Sequence, residues 1–284
     1  MDKQKLKKIY ILPNVITAFG LSCGLFVIFK MNMIDPGKVT LQALTATTAI
    51  LLLAAFADLL DGAVARVMKA ESEFGGVFDS LADAISFGVA PSVIILKTLS
   101  VEPSTKYSLL VTMAAMIYSL CGVLRLVRFN VSALEAKGNE ELALANKKNF
   151  TGLPIPASAA AAVSMNLFLY SEELQSLVQL SESSRIWILS VTLVLLGYCM
   201  ISRWKFPSVK NLEIRVSNFT KVFLLVAAAV FILVGILQYF AVVFVVLAWS
   251  YIIIAWTLSI IRLIAGKKSK TLEDFEPEPD DLED

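Results

Sequence analysis

Long apolar blocks alternate with short polar stretches that carry most of the lysine and arginine in this chain. Eight blocks can be marked, approximately Val15–Met31, Leu41–Val67, Asp79–Leu99, Tyr107–Val127, Ile155–Tyr170, Ile186–Ile201, Val222–Leu237 and Phe240–Ile264. A helix of roughly 20 apolar residues crosses a bilayer core, so each block is read as a transmembrane helix. No loop between them is long enough for a separate domain. The pattern predicts an all-α integral membrane protein of about eight spans, with one membrane domain over residues 1–270. Residues 271–284 are acidic and proline-containing with few apolar side chains, and are expected to be a disordered tail.

Basic residues orient the spans. With the N-terminus in the cytoplasm, one side of the membrane collects Lys3, Lys5, Lys7, Lys8, Arg66, Lys69, Arg125, Arg128, Lys137, Lys147 and Lys148. The same side takes Arg203, Lys205, Lys210, Arg215, Lys221, Arg262, Lys267, Lys268 and Lys270. The opposite side keeps Lys30, Lys38, Lys97, Lys106 and Arg185. The positive-inside rule then places both termini in the cytoplasm. The basic start, Met1 to Lys8, precedes an apolar stretch without a small-residue cleavage site, which predicts a retained first helix rather than a signal peptide.

Composition sharpens the class. The chain is 57% hydrophobic and 17% charged, where soluble domains carry about 25% charged residues. A net charge of +1 offers no basic surface for nucleic acid. Cys23, Cys121 and Cys199 are far apart in apolar stretches and form no disulfide or zinc framework. Histidine is absent, which removes the usual general base, so acid–base chemistry would fall to Asp, Glu, Lys, Tyr or Cys.

Against this apolar background four carboxylates stand out. Asp58 and Asp61, three apart, share a face of the second span; Asp79 and Asp83, four apart, share a face of the third. Charge inside a membrane is expensive and marks function by default. Facing carboxylates cannot all stay ionised unless protons or cations neutralise them. All-oxygen ligands suit hard ions such as Mg²⁺, Mn²⁺ or Ca²⁺. Two such ions about 3.5–4 Å apart would clamp a phosphoryl centre. Gly62 and Ala65 lie near the first acidic pair and admit close approach, Arg66 offers a planar fork for phosphate, and Gly75 and Gly76 loosen the turn. Helix capping or ion pairing is the alternative reading; it would serve for one aspartate better than for four.

The stretch from Asp58 to Asp83, DLLDGAVARVMKAESEFGGVFDSLAD, resembles the signature of the CDP-alcohol phosphatidyltransferase family, DxxDGxxARx8GxxxDxxxD, at every fixed position. That resemblance implies a helical membrane enzyme with two divalent ions, Mg or Mn, held by Asp58, Asp61, Asp79 and Asp83. Asp83 would also be the base that takes the acceptor's hydroxyl proton. Gly62, Arg66, Ser72 and Gly75 would contact the cytidine diphosphate, with Asn14 and Thr17 of LPNVIT as a further nucleotide contact. An asparagine before an apolar helix is equally an ordinary N-cap. The resemblance also suggests six catalytic spans followed by an accessory pair, and members that often form homodimers.

Three further patches resemble the serine-using branch of that family: SFGVAP from Ser86, RLVRFN from Arg125 and FTGLPIP from Phe150. Ser86, Phe87 and Gly88 follow Asp83 by about a turn and are candidates for the acceptor pocket. Arg125 and Arg128 share a helical face and are candidates to pair with diphosphate or with the serine carboxylate; ordinary charge anchoring is the competing account. GLPIP suits a rigid helix start. The implied reaction transfers a phosphatidyl group from CDP-diacylglycerol, a membrane lipid, to L-serine. Choline, inositol phosphate and glycerol 3-phosphate are alternative acceptors, and Phe74, Phe78 and Phe87 do not exclude a choline cage. A divalent-cation transporter would also bury carboxylates, but it usually carries internal repeats; no second copy of the acidic cluster is found.

Overall fold

The computed structural model describes residues 11–68, 72–99, 101, 105–135, 149–207, 235 and 238–265. The expected seventh span, Val222–Leu237, falls almost wholly outside these residues, as do Met1 to Lys8 and the acidic tail.

The described chain is helical apart from one small ribbon. Helix α1 runs Ile11–Asn32 and α2 runs Leu41–Val67. The third span begins as α3, Glu73–Asp83, loosens into a π-helical stretch at Ala84–Val89 and ends as α4, Ala90–Thr98. After α5, Lys106–Glu135, come strand β1, Asn149–Thr151, and α6, Ile155–Leu169. Then follow α7, Glu172–Leu177, α8, Glu182–Ile201, strand β2, Lys205–Pro207, and α9, Phe240–Ala265.

Six of these stretches are long and apolar enough to cross a membrane: α1, α2, Phe74–Thr98, Lys106–Ser132, α8 and Phe240–Ile261. Two expectations need correction. The helix expected at Ile155–Tyr170 has 15 residues, about 22 Å at the α-helical rise, and falls short of a 30 Å hydrocarbon core. The third span starts at Glu73 rather than Asp79, because Ser72 caps it: its side chain accepts from the Gly75 N–H at 3.0 Å. Beside the helices, the short strands β1 and β2 pair antiparallel, with Phe150 and Phe206 in register.

Lipid solvates apolar side chains as well as a protein core does, so helices in a bilayer join through small residues and hydrogen bonds. The outward faces accordingly expose Phe26, Phe29, Leu109, Leu120 and Ile253, while the seams are lined with small side chains. Gly20 of α1 sits against Ala57 and the Ala54 carbonyl of α2. Gly24 lies so close to Ser86 that a Cβ there would collide with it. Gly88 and Gly122 bring the π-helical stretch against α5, with Ile155 of α6 filling the corner.

The ribbon is tied to α5 by one side chain. Arg128 Nη1 donates to the Ile201 carbonyl at 2.9 Å; Nη2 donates to the Thr151 carbonyl at 2.9 Å and reaches those of Met200 and Ser202 at 3.3 Å. Gly152, with φ of 78°, is needed there, since a Cβ would strike the Met200 carbonyl and Arg128. Its N–H donates to Trp204 O at 2.9 Å, and that of Leu153 to Cys199 O at 3.0 Å. Arg128→Ala would strip donors from half-buried carbonyls. It is expected to lower stability by about 2–3 kcal/mol, read as a drop in Tm in detergent. Lysine, lacking the planar fork, is expected to restore little of it.

At the other end of the bundle Tyr170 donates to the Thr98 carbonyl at 3.2 Å and lies 4.6 Å beneath Arg185. Burial, aided by the charge of Glu182, pushes its phenol above the ordinary tyrosine range.

Candidate metal and nucleotide site

The acidic cluster forms where α2 and α3 meet at the end that also holds the start of α1. Asp58, Asp61 and Asp79 each offer a carboxylate oxygen, all within 4.8 Å of one another. Asp61 is 5% exposed and is held by Thr17, whose hydroxyl lies 2.5 Å from Asp61 Oδ2 and 3.1 Å from the Pro13 carbonyl. Helix α1 thus fixes a carboxylate on α2 through one hydroxyl. Asp83 stands a turn along α3, outside this closest group. It lines the same small cavity with Asp58, Asp61 and Asp79, and the opposing charge it meets is that of Arg125. Three carboxylate oxygens this close fit a hard divalent ion by their donor chemistry.

Beside the cluster opens a cleft lined by Asn14, Thr17, Asp61, Gly62, Ala65, Arg66, Ser72, Gly75 and Asp79 among others. Asn14, Thr17, Gly62, Arg66, Ser72 and Gly75, the six residues singled out for the nucleotide, therefore meet in one place. Gly62 shows why its size matters: a Cβ there would touch only Arg66 Nη1, at an ordinary 3.5 Å. Gly62→Ala should therefore fold normally yet intrude on the cleft. We expect an unchanged Tm with at least about tenfold weaker nucleotide binding, measured by CMP titration.

On the far side of the carboxylates lie Ser86 and Phe87, both 2% exposed, which line the acidic cavity. The π-helical stretch carries them, a geometry frequent at functional sites. Carbonyls in it are bonded from α5: Tyr118 Oη donates to Phe87 O at 3.0 Å, and Ser119 Oγ to Gly88 O at 2.8 Å. Gly88 itself packs toward Ile155 and does not line the cavity. Phe87 is also one wall of a second, apolar groove formed by Thr48, Leu51 and Ala55 of α2, Ala159 and Ala160 of α6, and Phe244 of α9. Along α2 that lining leads from Thr48 to Ala55, one turn before Asp58.

The two arginines part company. Arg125 is 7% exposed, with Nε buried and without a hydrogen-bond partner among the described residues, and its charge faces Asp83. Arg128, three residues on, is engaged by backbone carbonyls as described, which favours anchoring over a substrate contact. Sequence reasoning also missed Asn130, whose Nδ2 donates to Ser80 Oγ at 3.0 Å and so joins α5 to α3 inside the acidic motif. RLVRFN contained that residue, but an amide at a helix end has many ordinary explanations.

Comparison with known proteins agrees with this geometry. A profile described as CDP-alcohol phosphatidyltransferase matches residues 10–198. A Helicobacter pylori protein named CDP-diacylglycerol–serine O-phosphatidyltransferase is 29% identical over 262 residues, 92% of this chain and 98% of that protein. One of the same name from Methanocaldococcus jannaschii is 32% identical over 194 residues, 66% of this chain and 80% of the relative. Another from Mycobacterium leprae is 36% identical over 155 residues, 55% of this chain, and the match spans only 46% of that relative's length. With a family match over most of the chain, and the acidic motif folded into one cluster, this multi-pass membrane protein belongs to the CDP-alcohol phosphatidyltransferase family.

Proposed function

We propose that this protein is a CDP-diacylglycerol–serine O-phosphatidyltransferase. The observation that carries the reading is the meeting of the carboxylate cluster with the cleft whose walls are Asn14, Thr17, Gly62, Arg66, Ser72 and Gly75. Asp58, Asp61 and Asp79 would hold the metals, Mg or Mn, with Asp83 completing the set. Bound there, two divalent ions would neutralise the acids and stabilise negative charge on the diphosphate.

The residues then divide the work. Arg66 and the glycine backbone receive the cytidine diphosphate in the cleft. The apolar groove beyond Phe87 takes an acyl chain, which brings the lipid-bearing phosphorus to the carboxylates. Asp83 accepts the proton of the acceptor's hydroxyl as its oxygen bonds to that phosphorus, and the bond to the CMP oxygen breaks. CMP leaves with the electron pair of that bond. With no histidine in the chain, a carboxylate is the natural base. Arg125, buried beside Asp83, meets the carboxylate of serine. The lysine and arginine asymmetry supports a site at the cytoplasmic face of the cell membrane. A homodimer belongs to this reading through the family resemblance alone.

The test is CMP release by purified protein given CDP-diacylglycerol and Mn²⁺ or Mg²⁺, with serine, choline, inositol phosphate and glycerol 3-phosphate in parallel. Release with serine alone is expected. Release with another alcohol would overturn the acceptor and keep the chemistry. Folded protein that releases CMP with none of them would return the cation-transporter reading.

A further inference from the structure

Pro91 lies inside the third span, four residues after Phe87. An α-helix bonds each carbonyl to the N–H four residues on, and proline has no N–H to offer. Position 91 therefore leaves the Phe87 carbonyl without its α-helical donor. The stretch before it winds with the wider π turn: the N–H of Ala90 bonds back five residues, to the Ile85 carbonyl. Inside a bilayer no water reaches such a backbone, and an unbonded carbonyl there is costly.

Helix α5 supplies the missing donors. Tyr118 Oη, on a wholly buried side chain, donates to the Phe87 carbonyl at 3.0 Å. One residue on, Ser119 Oγ donates to the Gly88 carbonyl at 2.8 Å and lies 3.1 Å from Ser92 Oγ, just past the proline. On the side of α1, Ser86 lies against Gly24, where no Cβ would fit, and its Oγ reaches the Gly20 carbonyl at 3.4 Å. The wide turn is thus held between α1 and α5. It begins directly after Asp83 and carries Ser86 and Phe87, which line the acid cavity with that carboxylate.

We propose that Tyr118 is a positioning residue for the acceptor. By giving Phe87 the hydrogen bond that Pro91 withholds, it fixes the Phe87 ring and Ser86 as the wall against which the acceptor's hydroxyl meets Asp83. This rests on the reading of Ser86 and Phe87 as the acceptor side of the transfer site. Tyr118 does not line the cavity, so it acts through the backbone of Phe87.

Tyr118→Phe keeps the buried ring and removes only the hydroxyl. In full-length protein it is expected to raise the KM for serine about tenfold, the order of effect of one buried carbonyl left unsatisfied. kcat, the KM for CDP-diacylglycerol and the metal titration should hold, because Asp58, Asp61, Asp79 and Asp83 all precede the wide turn. Tm should fall, as it would for any lost buried hydrogen bond. Pro91→Ala separates position from stability. In the Tyr118→Phe background it returns an N–H to the Phe87 carbonyl, so Tm should recover. The stretch then winds as an ordinary α-helix, Phe87 leaves its place, and the serine KM should stay high. An unchanged serine KM, an equal rise in donor KM, or a serine KM that recovers together with Tm overturns the proposal. Wild-type protein that releases CMP with another alcohol and not with serine overturns the acceptor reading alone. The KM for that alcohol is then the quantity that Tyr118→Phe must raise.

Discussion

Asp83→Asn is expected to lower CMP release by about a hundredfold to ten-thousandfold, the usual contribution of a positioned general base. Asparagine keeps the shape of the side chain but cannot take a proton from the acceptor. Asp58, Asp61 and Asp79 remain as the close carboxylate group, so metal-dependent binding of CDP-diacylglycerol should persist. The pair of measurements matters: turnover lost with donor binding kept identifies the base. Turnover kept would remove Asp83 from that role, and turnover and binding lost together would make it chiefly a ligand. Because Arg125 loses its opposing charge in this variant, Tm should be followed in parallel.

The second large effect belongs to Asp61. Asp61→Ala is expected to weaken divalent-ion binding by more than about a hundredfold, beyond what loss of an outer partner brings about, and to weaken donor binding with it. EDTA should abolish turnover of the wild type, and added Mn²⁺ or Mg²⁺ should restore it. Thr17→Val provides the graded comparison. It removes the hydroxyl that holds Asp61 at 2.5 Å but leaves the carboxylate, so a loss of about 10–100-fold in metal affinity is expected. A metal titration unchanged in Asp61→Ala would sink the ligand assignment.

The acidic motif was legible in the sequence because helical spacing converts directly into a shared face. Asp58 with Asp61, and Asp79 with Asp83, needed only the period of the helix and a short turn between spans. The residues that line the adjoining cleft could be grouped for the same reason, since they lie close to that turn or at the mouth of α1. Other features were hidden by physics that residue types do not encode. Arg128 looked like a substrate ligand because its partners are backbone carbonyls, which every residue has. The π-helical stretch at Ala84–Val89 reads as plain helix, since what distinguishes it is the tertiary support of Tyr118 and Ser119. Helix α6 has the composition of a span but not its length.

Phe87 is the common wall of the apolar groove and the acid-lined cavity. On the proposed reading a single ring then divides an oily slot from an ionic one, and the two halves of the substrate keep separate addresses throughout the cycle. The hydrocarbon portion need not shift when CMP departs and the amino acid takes its place, so the reaction is a change of headgroup on a stationary tail. The new lipid then leaves by sliding sideways into the leaflet it came from, without crossing the bilayer and without exposing its chains to water.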